Sequence, residues 1–512
     1  MSGIKSLARE TAVYGLSSIV GRFLNWCLVP LYVYVFPTYE YGIVSYLYSF
    51  TAVALVILNY GMETGFFRFA NGSDDPEKVY TTSLVSVGTT SLLFMVLLTL
   101  LIHPVADAML LPDNWNYVWM LGMIVAVDAF TNLPFAYLRY RKKAYRFAGI
   151  KLLNIGLTIG LNLLFILGCP ALMKSVPWLV SWFYTPLGGE DFGIGWIFVA
   201  NMIATLAVLL CLLPELTGRR IRFDWPLLKR MLSYSWPLLI LGVAGILSQN
   251  MGQMIIPYLF RGHEVEAQSM VGIYGANIKI AIVMVMFAQA FRYAYEPFIF
   301  AQAKGEGESK LRAYADAMKF FVVFGLFIFL GVMFYLPVLK HFVSSAYWVG
   351  LRVVPVMMVA ELCFGVFFNL SVWYKVSDRT RWGMYMSLMC FVVMLLMNLW
   401  LVPMIGIPDG YIGSAVAALV AYAVVMVLSY FVGRHYYPIP YELKRMGLYT
   451  LLAAALYAGG MYIGTLFAPW LVYVTRTLML LVYLAVVASY ESVPKITPIL
   501  HRLIRRAGRG GR

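Results

Sequence analysis

Arg22 stands near the middle of YGLSSIVGRFLNWCLVPLYVYVF (Tyr14–Phe36), a run long and apolar enough to cross a bilayer. A cation at such a depth costs about 2.5–3.5 kcal/mol on insertion scales, so it usually faces a partner or a wet cavity. Lys279, Asp128 and Glu361 sit as deeply in other apolar runs, while Glu63, Arg292 and Glu296 lie nearer the ends that carry the basic loops. These six charges, with Arg22, are the side chains best placed to do chemistry.

Their neighbours at helical spacing form stripes. Gly15, Ser18, Arg22 and Asn25 share one face, and Ser45, Ser49, Ala52, Asn59 and Glu63 another. Gly242, Gly245, Gln249 and Gln253 make a third stripe, and Gly272, Gly275 and Lys279 a fourth. Small residues beside a polar one allow either close helix packing or an open cavity wall.

Two readings of the charges stay open. In one, Arg22 pairs with Asp128 and Lys279 with Glu361 as structural bridges. In the other, Arg22 and Lys279 face each other across a cavity and grip an anion, with Asn25, Gln249 and Gln253 as further substrate contacts. A guanidinium suits phosphate bidentately and an ammonium acts as a point charge. Both readings hold together if the bridges close in the empty protein and a pyrophosphate opens them. Glu63, Asp128 and Glu361 are then candidates for coupling to a proton or sodium gradient. Glu63, Arg292 and Glu296 are candidates for gating bridges at the inner mouth. Tyr14, Tyr46, Tyr274 and Tyr293 could stack on sugar rings, whereas Asn154, Asn162 and Asn398 are expected to make interhelical hydrogen bonds. No metal-ligand spacing, nucleotide fingerprint or nucleophile motif stands in a usable context, so no cofactor and no enzymatic activity are expected.

The elements that must position these residues are membrane helices. Of 512 residues, 62% are apolar and only 12% charged, and apolar runs of roughly twenty residues recur along the whole chain. About fourteen spans are expected, centred near residues 24, 55, 92, 127, 160, 203, 246, 283, 327, 362, 393, 422, 457 and 480. The fold class is all-α and polytopic. The net charge of +15 is not a nucleic-acid footprint. Most Lys and Arg fall in the termini and alternate loops, such as RYRKKAYR (139–146), GRRIRFDWPLLKR (218–230) and HRLIRRAGRGGR (501–512). That bias places the basic loops and both termini in the cytoplasm, with attraction to anionic membrane lipid. The longest outer excursion, 170–193, carries Trp178, Trp182, Phe183 and Tyr184 and reads as an interfacial stretch.

An internal repeat of about six spans relates Asn162 to Asn398, Asp128 to Glu361 and Lys142 to Lys375. It divides the chain into an N-lobe (1–220, spans 1–6), a C-lobe (221–435, spans 7–12), an added pair (436–490) and a basic tail (491–512). Repeats of this sort place a transport site between the halves.

The run LARETAVYGLSSIVGRFLNWCLVPLYVYVFPTYEYGIVSYLYSF (7–50) resembles the start of Wzx-type polysaccharide-transport flippases. So does NLWLVPMIGIPDGYIGSAVAALVAY (398–422), with its Asn, Pro, Gly and GSA order. These flippases belong to the multidrug/oligosaccharidyl-lipid/polysaccharide exporter superfamily. The resemblance implies two six-helix lobes around a central cavity, two extra C-terminal helices, alternating access and a bacterial inner-membrane location. It implies carriage of an undecaprenyl-pyrophosphate-linked oligosaccharide to the periplasmic leaflet for surface polysaccharide such as lipopolysaccharide O-antigen, beside the polysaccharide assembly machinery. Cations on spans one and eight are implicated in pyrophosphate binding there, and Arg22 and Lys279 occupy matching places. A lipid II flippase of peptidoglycan synthesis and a multidrug/cation antiporter of the same superfamily are the alternatives. A membrane polysaccharide polymerase or ligase fits less well, since the outer loops are short.

Overall fold

The computed structural model describes residues 23–491 except 25, 218–219, 221, 304–307, 378, 380 and 465–467, without the side chains of 179, 187, 293–294, 296–298, 300–303 and 469. The described residues are helical throughout, with turns between and no strand. Twelve helices among them are long and apolar enough to cross a membrane. Two expected spans fall outside that group. The one near residue 24 is described as the short helix Leu28–Val35, and the one near 203 forms the shorter apolar helix Gly195–Cys211. The chain is a multi-pass, all-α membrane protein.

Helix starts follow local chemistry. Asp75 caps Pro76–Leu100 by accepting from the Lys78 N–H at 3.1 Å, and Asp224 caps Trp225–Leu259 by accepting from the Leu227 N–H at 2.9 Å. Each cap satisfies a donor that the first turn cannot, and a proline in that turn lacks the donor altogether. The second expected span breaks in two. Thr38–Asn59 ends at Tyr60 and Met62–Asn71 restarts after Gly61, both in the left-handed region. The Gly61 carbonyl accepts from the Gly65 N–H at 3.0 Å and also from the Ser235 hydroxyl at 3.3 Å.

The chain packs as two compact units, Met1–Ala276 with Asn398–Ser414, and Asn277–Met397 with Ala415–Arg512. In the first, Thr38–Asn59 and the start of Glu264–Ala303 approach so closely that glycine is obligatory. A Cβ on Gly42 would lie 1.8 Å from the Gln268 carbonyl oxygen, and one on Gly272 would lie 2.0 Å from that of Thr38. Gly275 likewise faces the Ser45 hydroxyl. At Gly42, Ser45, Gly272 and Gly275 the small residues therefore serve helix packing. Gly242 packs on Val56, whereas a Cβ on Gly245 would meet nothing within 4 Å.

In the second unit the helices Leu443–Ile463 and Pro469–Tyr490 pack on Glu308–Phe334 through Leu330, Phe334, Tyr449 and Tyr483. Polar contacts hold both ends of that assembly. At one end, almost wholly buried Lys319 contacts Glu491 at 2.7 Å, Asp316 at 3.1 Å and Glu442 at 3.2 Å. At the other, buried Arg476 donates to the carbonyls of Phe334 at 3.0 Å and Gly460 at 3.2 Å. Both carbonyls lie in the last turns of their helices; that of Gly460 also accepts from the Gly464 N–H at 3.3 Å, so one guanidinium ties two helix C-termini together.

The stretch after residue 168 forms the short helices Cys169–Ser175 and Pro177–Tyr184, with Trp178 and Trp182 among the most exposed large side chains. Tyr184 stacks on Trp196 with ring centroids 4.8 Å apart, tying the excursion back to the bundle.

Candidate functional site

The described polar residues of the first unit gather into a charged seam. Glu63, from the short helix after the Gly61 break, pairs with Arg139 near the end of Trp115–Tyr140. The Arg139 guanidinium also lies over Phe67 at 5.2 Å and Phe147 at 5.8 Å. Its buried Nε has no hydrogen-bond acceptor among the described residues. Lys151, from Ala144–Leu163, sits 4.0 Å over the Phe135 ring and feels the charges of Asp128, Arg139 and Glu63. Asp128 completes the series, accepting from the Thr205 hydroxyl at 3.4 Å. The order Glu63, Arg139, Lys151, Asp128 balances two anions against two cations across a single helix bundle.

Amides extend this polar surface. Asn132 donates to Asn59 Oδ1 at 3.0 Å, and Asn201 bonds Tyr48. Asn162 accepts from the Tyr32 hydroxyl at 2.9 Å and Asn398 from that of Ser414 at 2.7 Å. These two are interhelical bonds, as expected. Asn154 instead accepts from Thr158 of its own helix at 3.3 Å.

Several residues singled out in the sequence stand elsewhere. Arg22 and Asn25 lie outside the described residues, as does the side chain of Glu296. Gln253 is buried and Gln249 exposed, one turn apart on Trp225–Leu259. Lys279 and Glu361 are half-buried in the second unit. Arg292 is exposed and lies 4.7 Å from the Phe368 ring. Tyr46, a possible sugar platform by sequence, is fully buried and donates to the Met109 carbonyl at 3.0 Å; Tyr274 is buried as well.

Lys151 escaped the sequence reading because it follows the basic run RYRKKAYR and looks like part of it. Its position about two turns inside an apolar helix was the available signal. Arg476 was equally visible as a lone cation in TRTLMLLV.

The charged seam sets a carboxylate at each end and two cations between them inside an apolar bundle. The exposed cations and aromatics of the second unit can bind anions. Neither arrangement contains a positioned nucleophile and base.

No protein-family model and no curated protein matches the sequence. Solved structures do match the fold. Lipid II flippase MurJ in an inward-closed conformation superposes with a TM-score of 0.66 at 11% identity, covering 96% of this chain and 100% of that one. An inward-facing multidrug-resistance MATE transporter gives 0.62 at 15%, covering 81% and 94%. A transporter of the MOP superfamily from Pyrococcus furiosus gives 0.52 at 14%, covering 83% and 95%. The protein has the fold of the MOP-superfamily transporters.

Proposed function

We propose that this protein is a flippase that carries an undecaprenyl-pyrophosphate-linked oligosaccharide across the bacterial inner membrane by alternating access, for surface polysaccharide synthesis. The observation that carries this reading is the extent of the fold match. The lipid flippase accounts for 96% of this chain, whereas the MATE structures account for between 81% and 89%. A larger share of the chain is thus matched by a carrier whose name specifies a lipid-linked cargo.

Charge supports the same reading. A pyrophosphate needs a substitute for water on its way through a membrane, and cations supply it. Arg22 and Lys279 are the proposed binders, with Asn25, Gln249 and Gln253 beside them. The seam of Glu63, Arg139, Lys151 and Asp128 is the proposed coupling element for a proton or sodium gradient, with Glu361 as its counterpart. Arg292 and Glu296 lie toward the proposed inner mouth. The basic loops and both termini face the cytoplasm in this reading, where polysaccharide assembly enzymes would meet the carrier.

A lipid II flippase is the second reading, favoured by the MurJ match itself. Proteoliposomes carrying a fluorescent prenyl-pyrophosphate disaccharide separate the cases. The proposal expects protein-dependent transfer between leaflets, and a cargo bearing the peptidoglycan pentapeptide should move at least tenfold more slowly. Equal or faster movement of the pentapeptide cargo favours the second reading, and no transfer of either sinks both.

A further inference from the structure

Four helices of the first unit leave a cavity of about 260 Å³ between them. Thr38–Asn59 lends it Ala54 and Ile57, Pro76–Leu100 Phe94, Ile102–Ala108 Val105, and Trp115–Tyr140 Leu121 and Val125. Every lining residue is apolar except Thr51, whose hydroxyl donates to the Leu47 carbonyl of its own helix at 3.0 Å. Water finds no partners in such a space, and an empty cavity destabilises in proportion to its volume. An apolar cavity of about 150 Å³ already holds benzene, so this one has room for a run of several methylenes.

Its depth follows from the end of the helix that lines it. Exposed Trp115 packs edge-on to His103 with ring centroids 5.5 Å apart, and Trp119 donates to the Thr99 hydroxyl at 3.1 Å. Indoles at a helix end mark the membrane–water interface. Leu121 and Val125 lie about 9 and 15 Å deeper than Trp115 at 1.5 Å per residue, within the hydrocarbon layer. The mouth is apolar too. Ile57 on its rim is 48% exposed, and Leu97 and Leu101, beside Phe94 round the same helix, are also exposed. The lining thus runs into exposed apolar surface at a depth where hydrocarbon is the solvent.

The segment above the cavity carries the opposite sign from a phosphate-binding site. Asp107 in Ile102–Ala108 and Asp113 just after it are exposed, and no Lys or Arg stands between Lys78 and Arg139. Carboxylates and an exposed indole suit an ammonium group and disfavour a pyrophosphate. Tyr46 and Tyr258 hold this segment in place by donating to the Met109 and Ala108 carbonyls, each at 3.0 Å.

We propose that this cavity binds one acyl chain of an aminophospholipid, phosphatidylethanolamine or its like, with the headgroup ammonium at the segment from Asp107 to Trp115. The site is separate from the charged seam and from the proposed pyrophosphate binders, so it stands independently of the flippase reading.

The test is photolabelling of the purified full chain in nanodiscs containing phosphatidylethanolamine with a diazirine on one acyl chain. Leu121 and Val125 are 4% and 2% exposed, so a lipid chain labels them only by entering the cavity. Their labelling should come within about threefold of that on exposed Leu93 and Val96. Ala54→Phe fills the cavity and should cut it about tenfold, while unchanged labelling at Leu93 and Val96 reports a folded, inserted chain. Phe94→Ala enlarges the cavity and should keep or raise the labelling. Phosphatidylglycerol with the same diazirine chain lacks the ammonium and should label these positions about threefold less. Unlabelled Leu121 and Val125 in wild type, or labelling that Ala54→Phe leaves unchanged, refutes the site. Equal labelling by phosphatidylglycerol overturns the aminophospholipid assignment. Stronger labelling by a diazirine-bearing farnesyl pyrophosphate overturns it as well and gives the cavity to a prenyl tail.

Discussion

Lys319 Nζ lies 2.7 Å from Glu491 Oε2, and both side chains are almost wholly buried. A buried pair is weak evidence for net stability, yet removing one member leaves an uncompensated charge. Glu491 also accepts from the Tyr449 hydroxyl at 2.6 Å. Glu491→Gln keeps the shape and removes the charge, while Glu442 and Asp316 stay beside Lys319. The expected loss is about 1–3 kcal/mol, read as a lower unfolding midpoint. An unchanged midpoint would show that the other two carboxylates suffice.

The same carboxylate gives a pH dependence with a definite sign. Burial alone raises its pKa, but the hydrogen bonds from Lys319 and Tyr449 outweigh that and hold it below the usual glutamate value. A depressed folded pKa contributes stability above the unfolded pKa of about 4.3 and loses it as pH falls through the folded value. Wild type should therefore lose midpoint faster than Glu491→Gln on acidification below about pH 4. Parallel curves for the two proteins would contradict this.

Arg476 tests a different kind of contact. Arg476→Met keeps the length but removes the guanidinium donor from the Phe334 and Gly460 carbonyls, leaving Gly460 only the Gly464 N–H. Losing a buried donor of this kind costs about 1–3 kcal/mol. The loss should appear as faster protease cleavage between the last two helices; cleavage at the wild-type rate would contradict a stabilising role for the Arg476 contacts.

Glycine contacts separate packing from open wall. Gly272→Ala should destabilise by about 1–3 kcal/mol or more, because its Cβ would collide with backbone. Gly245→Ala has open space and better helix propensity, so its midpoint should hold or rise by up to about 1 kcal/mol. Equal effects at the two positions would contradict the close approach of the Gly42 and Gly272 helices.

For the seam, Asp128→Asn removes the carboxylate that faces Lys151 and Thr205. In proteoliposomes it should abolish stimulation of transport by an imposed proton or sodium gradient while leaving substrate affinity within about threefold. Gradient stimulation that survives the substitution takes the coupling role away from Asp128.

The class of the fold was legible because membrane spans write their length and apolarity directly into the chain, as in Pro76–Leu100 and Glu308–Phe334. The tightest helix contact was half legible. The Gly272 and Gly275 stripe was visible, but close packing and open wall give the same pattern, and only the partner at Gly42 decides. Partners were the harder part. Asp128 faces Lys151, a residue hidden beside a topogenic basic loop, and Glu63 faces Arg139 for the same reason. Arg476 has backbone carbonyls for partners, and these leave no mark in a sequence. Distances across the bundle come from folding, and one chain read alone records residue types and spacings only.

The decisive measurement compares cells depleted of this protein with cells rescued by wild type or by Arg22→Ala made and inserted at equal levels. The quantity is undecaprenyl-pyrophosphate-linked glycan exposed at the cytoplasmic leaflet. A lipid-linked oligosaccharide flippase predicts that depletion traps the glycan there, that wild type releases it, and that Arg22→Ala does not. Depletion that traps no glycan contradicts the account and leaves the cation-antiporter reading in its place.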